Sequence, residues 1–309
     1  MNLLVAEHIE KRYAAHLALD DVNIAVKKGT IFGLLGPNGA GKTSLIRIIN
    51  QITGPDKGKL FFNGEKLQNS HVKKIGYLPE ERGLYKKMKV GEQALYLVQL
   101  KGMSKKEAIP ILKYWFEKFD IHTWWNKKVE ELSKGMQQKI QFIITVLHKP
   151  ELLIFDEPFS GFDPINTNLI KSEILKLKDN GTTIIFSTHN MESVEELCDE
   201  IALINKSRVI LDGNMAEIRD RFRTFEFEIV SEESTEMLKG VSFDKMQIIS
   251  SVQKSNQSVT RVKTEPGTTA NELLAALLPH IRIRSFNEII PRMNDIFISL
   301  VEADSNKLN

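Results

Sequence analysis

A glycine-rich segment near the N-terminus holds residue types that bind phosphate. It reads Gly36-Pro37-Asn38-Gly39-Ala40-Gly41-Lys42-Thr43-Ser44 and follows a short apolar run, residues 31–35. Glycines let successive backbone N–H groups turn towards a phosphate at the positive end of a helix. A lysine and a hydroxyl at the end of such a loop reach the β- and γ-phosphates and Mg²⁺. We therefore predict that this segment binds a nucleoside triphosphate, with Lys42 on phosphate and Thr43 on Mg²⁺.

Two carboxylates follow a second apolar run, residues 152–155. Asp156, at the end of that predicted strand, can hold Mg²⁺ through its water shell. Glu157, one residue later, can polarise an attacking water as a general base. Two acidic residues can also merely begin a loop, but open α/β sheets bind their ligands at the carboxyl ends of the strands. Together with the glycine loop, the pair predicts a nucleoside triphosphatase.

The elements around these residues are typical of an α/β protein. An alternating apolar pattern predicts a half-exposed, antiparallel strand that contains Val22, Ile24 and Val26. Short continuous apolar runs predict buried parallel strands at residues 31–35, 152–155, 184–187 and 201–204. A stripe at helical spacing predicts a helix after the glycines, with Leu45, Ile48, Ile49 and Ile52 on its apolar face. Strand, glycine loop and helix form half of a doubly wound unit.

The rest of the chain predicts two additions to this core. Residues from about 82 to 147 have mostly helical patterning and indicate a helical insertion between strands. Beyond about residue 220 the pattern changes to an alternating strand at Phe225, Phe227 and Ile229 and, later, a helical stripe from Met293 to Leu300. We therefore predict a nucleotide-binding domain at 1–220 and a small α+β domain at 221–309.

Further segments resemble the motifs of ABC ATPases and occur in that family's order. The segment Leu132-Ser133-Lys134-Gly135-Met136-Gln137 resembles the family's signature motif. Residues 159–163 resemble its D-loop, with Ser160 and Asp163 at matching positions, and Ser187-Thr188-His189 resembles its switch-histidine segment. Tyr13 stands where these proteins stack an aromatic ring on adenine. The resemblance covers about residues 1–215.

The resemblance implies a head-to-tail dimer that binds two ATP molecules with Mg²⁺. Each ATP would lie between the glycine loop of one subunit and the signature motif of the other. His189 would bind the γ-phosphate and help to place the water that Glu157 polarises. The signature also has a physical rationale, because Ser133 and Gly135 begin a predicted helix whose N-terminus attracts an anion.

Two positions depart from the family's pattern. Lys134 replaces the glycine that usually follows the signature serine, and Glu80 replaces the glutamine of the Q-loop. Glu80 keeps an oxygen that can contact Mg²⁺ but adds a negative charge near the γ-phosphate. Residues 77–85 and the C-terminal domain resemble those of cassettes that serve ABC-2-type exporters, including sodium extrusion ATPases. This implies the ATPase subunit of an exporter whose membrane-spanning permease is a separate chain.

Composition agrees with that expectation. A formal net charge of +2 provides no global attraction to nucleic acid or to an anionic membrane. One cysteine cannot form an internal disulfide, and no run reaches the ~20 apolar residues of a membrane-spanning helix. We expect a soluble, cytoplasmic homodimer or heterodimer, held at the inner face of the membrane by its permease and independent of nucleic acid.

Alternative functions are open at the level of sequence. The main one is a soluble ABC ATPase that acts on ribosomes or nucleic acid, although a single cassette with compact motif spacing disfavours it. A GTPase would carry Asn-Lys-x-Asp, whereas this chain has Asn126-Lys-Lys-Val129. Binding without hydrolysis is disfavoured because Glu157 and His189 are both present. The cargo stays open between sodium, drug, lipid and peptide.

Overall fold

The computed structural model describes residues 1–81, 83–232, 245–254 and 257–306. The chain divides into two compact units. The first contains Met1–Met215 together with the chain end from Ala303, and the second contains Ala216–Glu302. Arg82, where the sequence predicts the helical insertion to begin, lies outside the described residues, as do residues 307–309 of the predicted C-terminal domain.

The strands of the first unit form two sheets. In its described residues they are β1 (Asn2–Tyr13), β2 (His16–Lys27), β3 (Ile31–Leu35), β4 (Lys57–Phe62), β5 (Glu65–Lys66), β6 (Ile75–Leu78), β7 (Leu152–Asp156), β8 (Thr183–Ser187), β9 (Glu200–Asn205) and β10 (Arg208–Asn214). The central sheet has the order β10-β9-β3-β8-β7-β6, and only β10 pairs antiparallel. Parallel neighbours need crossover connections that cover the sheet, which buries its strands on both faces. The predicted α/β class and its buried parallel strands are confirmed.

The second sheet of this unit is the predicted antiparallel flank. Its order is β2-β1-β4-β5, and Val22, Ile24 and Val26 alternate between buried and exposed neighbours as expected. These three side chains share one hydrophobic core with Leu45 and Ile48 of the helix that follows the glycine loop. The flank therefore supports the loop and its helix from one side.

The described helices up to residue 221 belong to the first unit, except that all of the last one but Met215 belongs to the second. They are α1 (Lys42–Ile49), α2 (Val90–Leu100), α3 (Lys105–Lys118), α4 (Lys134–Val146), α5 (Pro164–Asp179), α6 (Met191–Leu197) and α7 (Met215–Arg221). The prediction that Ile52 extends the apolar face of α1 is wrong. The helix ends at Ile49, and Gln51 adopts a left-handed φ of 56°, which turns the chain and leaves Ile52 62% exposed.

The helical insertion contains α2, α3 and α4 and joins the core through aromatic rings. Trp115 of α3 and Phe119, directly after that helix, pack against Phe142 of α4. Phe142 stacks on Phe155 of β7 with ring centroids 5.6 Å apart. This contact connects the helix after the signature serine to the strand that ends at Asp156. Within the described residues, no helix is long and apolar enough to cross a membrane.

The second unit is built on an antiparallel sheet. Its described elements are β11 (Glu226–Ser231), β12 (Met246–Lys254), β13 (Gln257–Thr264), α8 (Ala270–Leu277), β14 (Ile283–Ile289) and α9 (Met293–Asn306). The sheet order is β12-β13-β11-β14. Phe227 and Ile229 face a core with Val262, Leu273 and Leu277, so their predicted alternation is confirmed. Phe225 precedes the strand and has a positive φ of 55°, so its predicted place in the alternation is wrong.

Candidate active site

The loops at the carboxyl ends of the parallel strands enclose a cavity of about 250 Å³. The strand β3 leads into the glycine loop, β7 ends at Asp156, and Thr188 and His189 follow β8. The cavity is lined by Tyr13, His16, Ala18, Asn38, Gly39, Gly41, Lys42, Thr43, Ser44, Glu80, Asp156, Glu157 and His189. The structure thus brings together most of the predicted glycine loop, both carboxylates, Glu80, Tyr13 and His189. Three predicted residues of the loop are not among the lining residues: Gly36, Pro37 and Ala40.

Close backbone packing explains two glycines of the loop. A Cβ on Gly36 would lie 2.1 Å from the Ile204 carbonyl oxygen, and one on Gly41 would lie 2.4 Å from the Ala18 carbonyl oxygen. Both glycines also have positive φ angles, 145° and 118°. A side chain at either position would therefore move the loop away from β9 or β2.

Lys42 lies at the first turn of α1 with its ammonium held inside the loop. Its Nζ donates to the carbonyl oxygens of Gly36 at 2.7 Å and Pro37 at 3.1 Å. Burial lowers the pKa of Lys42, while Glu157, Asp156 and Glu80 act in the opposite direction. A loop that closes around a buried ammonium presents positive charge to an anion at a helix N-terminus.

Asp156 is the most buried acid of the cavity, with 4% of its surface exposed. Burial raises the pKa of this carboxyl group, and the nearby Glu80 and Glu157 raise it further. The cavity therefore gathers three carboxylates around the single buried ammonium of Lys42. A cation placed close to these carboxylates would favour their charged form. Carboxylate and hydroxyl oxygens are ligands that Mg²⁺ accepts, so Asp156, Thr43 and Glu80 form a donor set that fits this ion.

Glu157 has a strained backbone, and its carboxylate is held by residues that follow β8. Its φ of 49° lies in the left-handed region, which costs a non-glycine residue on the order of 1–3 kcal/mol. The carboxylate accepts hydrogen bonds from the Thr188 hydroxyl and the His189 backbone N–H, both at 2.9 Å. Its Oε1 also lies 2.7 Å from His189 Nδ1. The segment after β8 thus holds the carboxylate that the sequence predicts as general base.

The signature and D-loop segments lie outside the lining of this cavity. Ser133 caps α4 by accepting a hydrogen bond from the Met136 N–H at 3.3 Å, and Ser133 and Lys134 are exposed. Gln137 Nε2 donates to the Leu132 carbonyl oxygen at 2.9 Å. The two segments neighbour one another, because a Cβ on Gly135 would lie 3.4 Å from the Gly161 carbonyl oxygen.

The D-loop ends in a helix cap. Asp163 accepts a hydrogen bond from the Asn166 N–H at 2.9 Å and thereby caps α5, which begins with Pro164. The backbone N–H of Ser160 donates to the Glu157 carbonyl oxygen at 3.1 Å. The segment that the sequence predicts as D-loop is therefore a tight connection that starts directly at the proposed base.

Sequence reasoning missed two residues of the site. Thr188 belongs to the predicted switch-histidine segment, but the sequence assigns it no role, whereas in the structure its hydroxyl donates to the Glu157 carboxylate. His16 lines the cavity because it pairs with Tyr13 across the β1–β2 hairpin. Thr188 could have been found from its position directly after a predicted buried strand. His16 could not, because it is brought to Tyr13 by the register of the hairpin, which the sequence does not display.

Comparisons with known proteins match both parts of the chain. A family model described as "ABC transporter" matches residues 19–160, and one described as "ATP-binding protein DrrA1-3-like, C-terminal domain" matches residues 213–301. The uncharacterized ABC transporter ATP-binding protein YhaQ of Bacillus subtilis (strain 168) is 42% identical over 303 residues, 97% of this chain and 99% of that protein.

Two further similarities each cover about 71% of the chain. The linearmycin resistance ATP-binding protein LnrL of Bacillus subtilis (strain 168) is 34% identical over 226 residues, which is 71% of this chain and 71% of that protein. A solved structure described as the ATP binding subunit of an ABC transporter is 30% identical, with a TM-score of 0.67 over 71% of this chain and 93% of that chain. The architecture around the cavity is therefore that of known nucleotide-binding cassettes.

Proposed function

The chain belongs to the ATP-binding proteins of ABC transporters, and from this premise we propose that it uses Asp156, Glu157 and His189 to drive an exporter. As a member of that family it binds ATP and hydrolyses it to power transport. Its partner in transport is a membrane permease, because the family's ATP-binding subunits act on such a protein.

The observation that carries the proposed mechanism is the geometry at Glu157. Its strained backbone and its bonds to Thr188 and His189 direct the carboxylate into the cavity beside Lys42 and Asp156. In the mechanism we propose, Glu157 accepts a proton from the attacking water, and His189 binds the γ-phosphate and orients that water. Lys42 leaves its loop carbonyls to bind the β- and γ-phosphates, while Tyr13 stacks on the adenine.

We propose that Thr43 and Asp156, with Glu80, hold Mg²⁺. The support is the excess of carboxylate over ammonium in the cavity and the raised pKa of Asp156. When bound, Mg²⁺ would neutralise phosphate charge and help to align the γ-phosphoryl group for attack. The protein's own contribution is to keep these oxygens in a partly buried cavity, where charge interactions are stronger than in water.

We propose a head-to-tail dimer in which the signature of one chain completes the cavity of the other. Its support is that Ser133, Lys134 and the adjacent turn are exposed rather than used by the chain's own cavity. The exposed start of α4 offers free N–H groups and a positive helix end to a phosphate from a second copy. A homodimer is the simplest form of this assembly.

We further propose that the transporter is an exporter and that the chain lies at the inner face of the membrane through its permease. The support for export is the similarity to LnrL, which is described as a resistance protein. We expect no nucleic-acid partner, since the formal net charge is only +2. The second unit, Ala216–Glu302, then serves as an accessory module with its own core.

Glu157→Gln tests the mechanism and the dimer together. The amide keeps the shape of the side chain but cannot accept the proton, so we expect turnover to fall by roughly a hundredfold or more while ATP binding persists. ATP should then hold the variant as a dimer in size-exclusion chromatography. The matched control is Glu151→Gln, which alters an exposed acid just before the other end of β7. Near-normal turnover of Glu157→Gln would remove it from the role of base, and a monomer with bound ATP would contradict the dimer.

A further inference from the structure

A second cavity, of about 1070 Å³, lies at the opposite edge of the central sheet from the nucleotide site. Glu151, just before β7, and Thr183, the first residue of β8, line it, whereas the nucleotide cavity lies at the carboxyl ends of the same strands. One wall comes from α3 of the helical insertion and the other from α5 of the core. All of its lining residues belong to the first unit.

The walls of this cavity are largely apolar and aromatic. Helix α3 contributes Ile111, Tyr114 and Trp115, and the facing surface includes Leu147 and Leu177. Tyr114 is 57% exposed, and its ring meets that of Trp115 edge-on with centroids 6.1 Å apart. An apolar, aromatic-lined concavity of this size is typical of sites for small organic molecules rather than of packed core.

The charges around the cavity are unequally compensated. Glu173 is 2% exposed and pairs with both Lys118 and Lys176, and Lys118 also lies over the rings of Trp115 and Tyr114. Glu151 pairs with Lys74 at 2.9 Å. The lining acids are therefore already neutralised by lysines. Both acids of the lining, Glu151 and Glu173, are thus paired, so neither offers an unpaired carboxylate to a ligand.

Two lining lysines have no such partner among the described residues. The side chains of Lys28 and Lys149 are exposed and make no hydrogen bond or ion pair there. Four lysines against two acids leave the lining with an excess of positive charge. Apolar walls and two exposed lining lysines without a described partner match a molecule that has an apolar body and an anionic head.

We propose that this cavity binds a small amphipathic anion of the fatty-acid type, with its chain along α3 and its carboxylate at Lys28 and Lys149. The ligand would contact α3 and α5 together, and these helices are already joined by the Lys118–Glu173 ion pair. This site is separate from nucleotide hydrolysis and uses none of the residues that the proposed mechanism requires. Its failure would leave that mechanism untouched.

The test uses the full-length chain with dodecanoate below its micelle concentration, followed by isothermal titration calorimetry and by Trp fluorescence. We expect saturable binding, with an affinity for dodecanoate at least tenfold higher than for octanoate. The reason is that each buried methylene contributes about 0.8 kcal/mol, roughly fourfold in affinity. Dodecyltrimethylammonium, which has the same chain and the opposite charge, should bind at least tenfold more weakly than dodecanoate. Equal binding of the two detergents would overturn the assigned charge selectivity.

Charge reversal then locates the site. Lys28→Glu with Lys149→Glu should weaken dodecanoate binding by tenfold or more and leave MgATP affinity unchanged. The matched control, Lys106→Glu with Lys113→Glu, makes the same charge change on α3 at exposed lysines that do not line the cavity. Tyr114→Ala should weaken binding several-fold through the lost apolar wall. Unaltered binding in the Lys28/Lys149 pair, or an equal loss in the control pair, would contradict the site.

A competition arm separates a small molecule from a protein segment. Dodecanoate should bind equally well to the isolated chain and to the chain assembled with its permease. If assembly with the permease abolishes dodecanoate binding, the cavity is a docking surface for a protein segment and the assignment to a small amphipathic anion is wrong.

Discussion

The carboxyl edge and the amino edge of the central sheet are formed by the same strands but differ in their charged groups. At the carboxyl edge, Asp156, Glu157 and Glu80 surround one ammonium, and Glu157 has a strained backbone. At the amino edge, the buried acid Glu173 is paired with two lysines, and the walls are largely apolar apart from lysines such as Lys28 and Lys149. Uncompensated charge and strain persist only where surrounding structure enforces them. We therefore expect substitutions in the acidic cluster of the carboxyl edge to affect nucleotide chemistry, and substitutions at the Glu173 ion pairs of the amino edge to affect the free energy of unfolding.

The largest effect should follow from filling the glycine loop. Gly36→Ala would place its Cβ against the Ile204 carbonyl oxygen at a backbone angle that favours glycine, so the loop must shift. We expect the affinity for MgATP to fall by about a hundredfold or more, measured by nucleotide titration. The control is Gly29→Ala at the amino edge, where φ is 70° but no atom lies within 4 Å of the added Cβ. A similar loss of MgATP affinity in both variants would contradict the proposed difference between the two edges of the sheet.

Removing the charge of Glu173 should affect stability without affecting chemistry. Glu173→Gln leaves Lys118 and Lys176 without their carboxylate, and we expect the free energy of unfolding to fall by about 1–3 kcal/mol. Denaturant unfolding measures this loss. The Km for ATP and the turnover per folded molecule should remain within about twofold of the wild type. A lost ATPase activity in a folded Glu173→Gln protein would show that the amino edge takes part in catalysis.

At the carboxyl edge, Glu80→Gln should change the metal requirement. The substitution removes one of three carboxylates near Asp156, which lowers the pull on a cation and relieves the raised pKa of Asp156. We expect the Mg²⁺ concentration for half-maximal ATPase to rise by about threefold to tenfold. A titration with MgCl₂ at fixed ATP measures it. An unchanged Mg²⁺ curve would mean that Glu80 acts on something other than the metal.

A final effect concerns the stability towards acid at the amino edge. Burial lowers the pKa of His148, between α4 and β7, to about 4, and the nearby Lys101 acts in the same direction. The unfolded chain binds a proton at this histidine from about pH 6.5 downwards, while the folded chain stays neutral, so stability is lost as pH falls from 6.5 to 4. Urea unfolding measures the free energy of unfolding at pH 7 and at pH 5. We expect this free energy to fall by about 1–2 kcal/mol less in His148→Gln than in the wild type. Identical pH dependences would place the acid sensitivity elsewhere.

The amino-acid pattern predicted the parts of the site that lie close together in sequence. The glycine loop, the acids after β7 and the residues after β8 each follow a short apolar run that predicts a buried strand. Local pattern was less reliable where the backbone turns. Ile52 continued a helical spacing, yet α1 ends three residues earlier because Gln51 adopts a left-handed conformation. Phe225 continued an alternation that begins only with β11.

The sequence by itself determined the kind of chemistry. The side chains that define it have intrinsic affinities for phosphate, metal and protons: Lys42, Thr43, Asp156 and Glu157. The spacing of these residues along strands and helices follows from backbone geometry. Only the tertiary structure decided which of these groups face one another. It placed Glu80 beside Asp156, bound Glu157 to Thr188 and His189, and opened a lysine-rimmed cavity at the other edge of the sheet. Such pairings depend on strand order and long-range packing, which no local pattern contains.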